Sequence, residues 1–240
     1  MSYSPTFPFN PYCDASPRLP LADADHALAP SVASSPPKAP RFLNLIDLLA
    51  DGMMTWDMTQ FFLQALRERR RLIVTGAVDT GKTTLLRALA QTGIPPHERV
   101  VVVDAGDELH FTGLRVITQA GWEDTEEPDG LRQALRRRPD RLIVGELRGT
   151  RLLDYLEIGL TTSLGLLATL PLRQPEDFVD HIRALLPRRQ WALPEDMVAA
   201  QISQGVDLLI AMQRDKRGRR RVSRVVQPLP DGTVRTAFAD

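Results

Sequence analysis

Asparagine and lysine are nearly missing from this chain of 240 residues: asparagine occurs only at Asn10 and Asn44, and lysine only at Lys38, Lys82 and Lys216. Arginine supplies the rest of the 30 basic residues, and 30 acidic residues cancel them, so bulk charge gives no argument for a nucleic-acid partner. The single cysteine, Cys13, excludes an internal disulfide and suits a reducing compartment. None of the four histidines, His26, His97, His110 and His181, has metal-ligand spacing. The longest stretch without charge, Ile158 to Leu172, is shorter than the roughly 18 residues of a membrane span and is broken by Gly, Thr, Ser and Pro. The N-terminus lacks a charged start followed by an apolar signal core, which predicts a chain that is not secreted.

What is present is organised in three parts. Residues 1–40 hold nine of the 19 prolines with many Ser and Ala, a composition that cannot bury enough apolar surface to offset its ordering entropy, and they are predicted to be a disordered tail. Residues 41–70 carry two helical patterns. "FLNLIDLLADG" ends at Gly52, and "TWDMTQFFLQALRERR" opens on Thr55 as N-cap and closes in basic residues that suit a helix C-terminus. Residues 71–240 form the main domain. Short apolar runs at 71–75, 99–104, 141–146, 164–170, 206–212 and 221–227 read as strands, with helical patterns after the first, before the third and after the third. The rhythm predicts an α/β domain with a mostly parallel sheet covered on both faces.

The strongest motif is "TGAVDTGKTTLLRALA". Gly76, Gly81, Lys82 and Thr83 satisfy G-x-x-x-x-G-K-[ST] directly after an apolar strand and at the opening of a helix. Glycines let backbone N–H groups converge on phosphate oxygens, and the helix start adds a positive dipole end. Lys82 then neutralises the β and γ phosphates, and Thr83 offers a hydroxyl to Mg²⁺. The nucleotide-contacting stretch runs through Gly76, Ala77, Val78, Asp79, Thr80, Gly81, Lys82, Thr83 and Thr84. Two later strand ends carry acids: Asp104, Asp107 and Glu108 after one, Glu146 after another. Acids at the carboxyl ends of parallel strands point into the crevice where ligands bind, where one can hold Mg²⁺ and another can orient or deprotonate water. Asp79 is unusual for such a loop, although "VDxGKTT" also occurs in translational GTPases. That class is excluded here, because neither asparagine begins the Asn-Lys-x-Asp needed to read guanine.

Together with this loop, the segments "PHERVVVVDAGDELHF", "LRQALRRRPDRLIVGELRG", "TTSLGLLATL" and "AAQISQGVDLLIAMQRDKRGRRRVSRVVQ" resemble the secretion ATPase superfamily. These are the hexameric motors of type II and type IV secretion, conjugation and pilus assembly, and the Tad-pilus and conjugative-transfer branch is the most similar. The resemblance covers Arg41 to about Gln227. It implies a RecA-like P-loop NTPase core with ATP and Mg²⁺ as cofactors. Lys82 and Thr83 are then the nucleotide and Mg²⁺ residues, Glu108 the general base, and Glu146 the Walker B acid that shares the metal with Thr83. Arg115 and Arg148 are the candidates for an arginine finger. It also implies a homo-hexamer, or a ring with a paralogue, on the cytoplasmic side of the inner membrane. Such a ring docks on a secretion or pilus platform protein, with no direct nucleic-acid contact.

This sequence also departs from the family. Aligned on Gly165 and Thr169, it has Ser163 and Pro171 where the family has two histidines that sense the γ phosphate and couple subunits, and Asp104-Ala105 where the family has a Glu-Asp pair. Residues 41–70 stand as a remnant of a much longer N-terminal domain. Two alternatives to an active motor therefore stay open: a hydrolytically weak regulatory or structural subunit, and a RecA-like ATPase acting on nucleic acid. The basic run Arg214 to Arg224 around a turn at Gly218 is expected to be a charged hairpin in solvent.

Overall fold

Along the predicted strands every second residue faces the same side, and the apolar residues divide accordingly into two cores. Ile73, Val101, Val103, Leu142, Val144, Leu166 and Ala168 lie in one, while Leu72, Val74, Val100, Val102, Ile143 and Leu167 lie in the other. A sheet buried on both faces results, which is why its strands read as continuous apolar runs rather than alternating ones. The computed structural model describes residues 44–104, 109–119, 129–186 and 195–239. The predicted tail, Asp107 and Glu108 lie outside the described residues.

Eight strands make one sheet: β1 (Leu72–Gly76), β2 (Arg99–Val103), β3 (Arg115–Gln119), β4 (Arg141–Val144), β5 (Gly165–Leu170), β6 (Leu208–Arg214), β7 (Arg220–Pro228) and β8 (Val234–Ala239). Their spatial order is β3-β2-β4-β5-β1-β6-β7-β8. The first six of these run parallel, and β6, β7 and β8 continue as an antiparallel meander. Strand β1 is central, paired with β5 on one side and β6 on the other. The mostly parallel, doubly covered sheet is as the sequence predicts; β3 and β8 are additions that the apolar runs did not reveal.

Helices α1 (Leu45–Ala50), α2 (Trp56–Arg67) and α3 (Lys82–Gly93) cover one face. Helices α4 (Asp129–Arg136), α5 (Arg151–Thr161), α6 (Phe178–Leu185) and α7 (Glu195–Gly205) cover the other. Asn44 and Asp47 form a reciprocal capping box on α1, and the Thr55 hydroxyl accepts from Met58 N–H at 3.2 Å, as expected of an N-cap. Leu45 N–H donates to the Thr92 hydroxyl at 3.0 Å, which ties α1 to the end of α3. Helices α1 and α2 pack with α3 in one core, within the compact unit Pro40–Asp240.

Ion pairs close the amino ends of the strands. Arg141, fully buried at the start of β4, donates from Nε to Glu98 at 2.5 Å, and Arg69 donates to the other oxygen of the same carboxylate at 2.9 Å. Neither terminal nitrogen of Arg141 has a hydrogen-bond acceptor among the described residues, so Glu98 is its only counter-charge there. Next to β1, Arg71 donates to both oxygens of Asp207 at 2.8 and 2.9 Å. Burial pushes the Glu98 carboxyl up, but the bonds from Arg141 and Arg69 outweigh it and hold the group below the usual glutamate range.

A buried cation left alone is costly, so Glu98→Gln is expected to lower the unfolding free energy by about 3–5 kcal/mol in urea denaturation near neutral pH. Because the folded Glu98 pKa is depressed, this stabilisation is complete above the unfolded glutamate value of about 4.3 and fades as pH falls through the folded value. The difference between parent and variant should therefore shrink in acid.

Candidate functional site

The carboxyl end of β1 and the start of α3 are joined by only five residues, 77–81, and the backbone must turn sharply to make the connection. It does so with positive φ at Gly76 (150°), Asp79 (60°) and Gly81 (94°). A Cβ on Gly76 would stand 2.6 Å from both the Met212 carbonyl oxygen and the Thr80 hydroxyl, so only glycine fits against β6 there. Asp79 is the one non-glycine of the three, and Asp is among the few residues that tolerate the left-handed region. The Ala77 carbonyl accepts from both the Thr80 hydroxyl and Lys82 Nζ, each at 2.9 Å. Lys82 is 8% exposed. Burial pushes its ammonium pKa down, with the Glu146 carboxylate opposing the shift. Thr83 stands on the first turn of α3, where helix N–H groups are without intrahelical partners.

Opposite the loop, β2 and β4 bring two acids to the same end of the sheet. Asp104 follows β2 and accepts from Leu109 N–H at 3.0 Å. Its carboxylate lies so close to the backbone after β4 that a Cβ on Gly145 would be 2.3 Å from Oδ1. Glu146 follows at once, and Arg148 Nε donates to it at 2.9 Å, with both side chains open to solvent. Thr169 of β5 braces this segment from the other side: its hydroxyl donates to the Gly145 carbonyl at 2.5 Å, and its own carbonyl accepts from Leu147 N–H at 2.8 Å. The fold thus gathers Lys82, Thr83, Glu146, Asp104 and Arg148 at the carboxyl ends of β1, β2 and β4, where ligands bind in open α/β sheets. The pattern of residues suits a polyphosphate with a hard divalent cation: a glycine-walled cradle, one buried ammonium, a helix start, and hydroxyl and carboxylate oxygens.

Residues 39–222 match the model of the family described as "Type II/IV secretion system protein". The chain belongs to that family. It is 30% identical over 213 residues to a putative conjugal transfer protein of Mycobacterium tuberculosis, covering 83% of this chain and 60% of the relative. It is 24% identical over 200 residues to the conjugal transfer protein TrbB of Rhizobium radiobacter, covering 80% and 61%. The chain thus spans about three fifths of the length of these relatives. Among solved structures, it resembles the VirB11 ATPase of the Brucella suis type IV secretion system, with a TM-score of 0.66 at 23% identity over 76% of this chain and 54% of that one. It also resembles the pilus retraction motor PilT with bound ADP, with a TM-score of 0.60 at 21% identity over 82% and 55%. These likenesses agree with the RecA-like fold expected from the sequence.

For a type II/IV secretion family member, the placements of the other predicted residues are uneven. Arg115 opens β3 in register with Arg99, at the amino end of the sheet, so it does not join the site of its own chain. Ser163 precedes β5 and Pro171 follows it, so these two positions stand at opposite ends of one strand, and only position 171 is at the carboxyl end. Glu108 lies outside the described residues. No helix among the described residues is long and apolar enough to cross a membrane.

Two residues at the site were not singled out from sequence. Arg214, ending β6, and Arg220, opening β7, both donate to the Asp79 carboxylate. The charged hairpin lies in solvent as expected, and through these two arginines it also touches the phosphate loop. The signal was available only in part, because the arginines flank the predicted turn at Gly218 but the sequence does not show that β6 lies beside β1.

Gly145→Ala should force the added methyl group into Asp104 and cost about 1–3 kcal/mol, as overpacking does, with an unchanged m-value in urea.

Proposed function

We propose that this chain is an ATP-binding and ATP-hydrolysing motor subunit of a bacterial type II/type IV secretion, pilus-assembly or conjugative-transfer system. The observation that carries the reading is the Lys82 ammonium, buried in the mouth of a loop built on left-handed backbone and within electrostatic reach of Glu146. The family match and the conjugal transfer relatives support the setting. In that setting the subunit works in a ring, as a homo-hexamer or with a paralogue. The ring sits at the cytoplasmic face of the inner membrane and docks on a platform protein.

Each residue has a definite task in this reading. The loop N–H groups and the start of α3 hold the β and γ phosphates, and Lys82 neutralises their charge. Thr83 and Glu146 supply oxygen ligands to Mg²⁺, which when bound spreads and neutralises the charge of the phosphates. Glu108 orients the attacking water and takes its proton. Arg148 leaves Glu146 to stabilise charge on the transferred phosphoryl group, and Arg115 can act only when donated to a neighbouring subunit's site. Lys82→Ala is expected to abolish ATP binding in equilibrium titration. Glu108→Gln is expected to bind ATP at the parental affinity while its turnover falls by about 10²–10⁴-fold, and turnover at the parental rate removes the general-base role.

Pro171, at the carboxyl end of β5 where the family has a histidine, supports a second reading as a hydrolytically weak regulatory subunit, because proline carries no hydrogen-bond donor. Steady-state turnover separates the two. The motor reading expects ATP hydrolysis by the purified chain alone. The regulatory reading expects ATP binding with almost no turnover until a histidine-containing paralogue is added.

A further inference from the structure

The phosphate loop carries one carboxylate of its own, and it is spoken for. Asp79 Oδ2 accepts from Arg214 Nη2 at 2.5 Å, and Oδ1 accepts from Arg220 Nη2. The two arginines face one another across the mouth of the β6–β7 hairpin, where their Cα positions are paired. Arg214 is also fixed to its own turn, donating from Nη1 to the Gly218 carbonyl at 2.8 Å. Arg220 lies along the loop itself: its Cδ is 3.0 Å and its Nε 3.7 Å from where a Cβ on Gly81 would stand. Gly81 is the residue before Lys82, so a guanidinium stem runs beside the part of the loop whose N–H groups face a bound phosphate.

The charge count around the hairpin is lopsided. Of the eight residues 214–221, six are basic and one is acidic. That acid, Asp215, is consumed by the turn, accepting from the N–H groups of Arg217 and Arg219 and from Arg219 Nε. Asp79 is therefore the carboxylate that balances Arg214 and Arg220, and its pKa is held below the usual aspartate range by hydrogen bonds from Arg214 first and Arg220 second. A polyphosphate in the loop presents the same two arginines with a stronger anion, and guanidinium pairs with phosphate oxygens at least as well as with carboxylate.

We propose that Arg214 and Arg220 are phosphate-binding residues of the nucleotide site, and that Asp79 is an internal competitor that holds them until a polyphosphate draws them away. This rests on the nucleotide-binding reading above. It makes Asp79 a determinant of affinity: the energy of breaking two ion pairs is subtracted from the energy of binding.

The test is equilibrium binding of Mg-ATP to the full chain and its variants, at low and high salt, with thermal unfolding measured in parallel. Asn and Gly both accommodate the φ of 60° at position 79, so Asp79→Asn and Asp79→Gly keep the loop conformation. Both are expected to bind ATP about tenfold more tightly than the parent, with a steeper loss of affinity in salt, since the freed arginines contact phosphate directly. Arg220→Gln and Arg214→Gln should weaken binding, Arg220→Lys should restore part of it, and the double variant Asp79→Asn/Arg220→Gln should lose most of the gain of Asp79→Asn. Unchanged or weaker ATP binding by Asp79→Asn, alongside a lower melting temperature, overturns the proposal and leaves the contact as a structural clip. Should the parent bind ATP no better than Lys82→Ala, the nucleotide reading itself fails, and this proposal with it. Parental binding that Lys82→Ala abolishes and Asp79→Asn leaves untouched overturns this proposal while the nucleotide reading stands.

Discussion

The site depends on one constraint: a chain leaving a buried parallel strand must reverse into a helix within five residues. Positive φ at Gly76, Asp79 and Gly81 meets that constraint. At the first of these positions the neighbouring strand excludes a side chain, whereas at Asp79 there is room for one, and the space is filled by an acid with two arginine partners.

This arrangement separates the two ends of the sheet by kind of interaction. At the amino ends, Arg141 with Glu98 and Arg71 with Asp207 join buried or half-buried groups whose partners are local to the fold and whose loss would be felt as instability. At the carboxyl ends, Glu146 with Arg148 and Asp79 with Arg214 and Arg220 are exposed pairs, weak as supports and easily exchanged for another partner. Ion pairs of the second kind suit a place where an anion must enter.

The parts legible from sequence are those whose signal is local. Val100–Val103 and Leu142–Val144 are buried on both faces and read directly as strands, and Thr55 announces the start of α2 by its hydroxyl. The spacing of Gly76, Gly81, Lys82 and Thr83 is likewise a local pattern. Strand β3, Arg115–Gln119, is an edge strand, partly exposed, with only Val116 and Ile117 apolar, so no apolar run marks it. Strand β8 is the other edge and is masked in the same way. The partners of Asp79 were illegible for a different reason. They lie 135 and 141 residues away, and only the placement of β6 beside β1 brings them near. Arg115 illustrates the converse, because its neighbourhood in sequence to the acids after β2 says nothing of which end of β3 it occupies.

That long separation has a consequence for how the protein is made. The β6–β7–β8 meander joins neighbours in sequence and can form on its own timescale, whereas β1 cannot find its place until β5 and β6, both far along the chain, have arrived. The loop after β1 therefore emerges before the strands that wall it, and acquires its walls, its glycine contacts and its arginines only when β5, β6 and β7 have folded against it. A nascent or partly unfolded copy carries the motif in its sequence without the shape that gives the motif its chemistry, so competence at this site reports that folding has gone to completion.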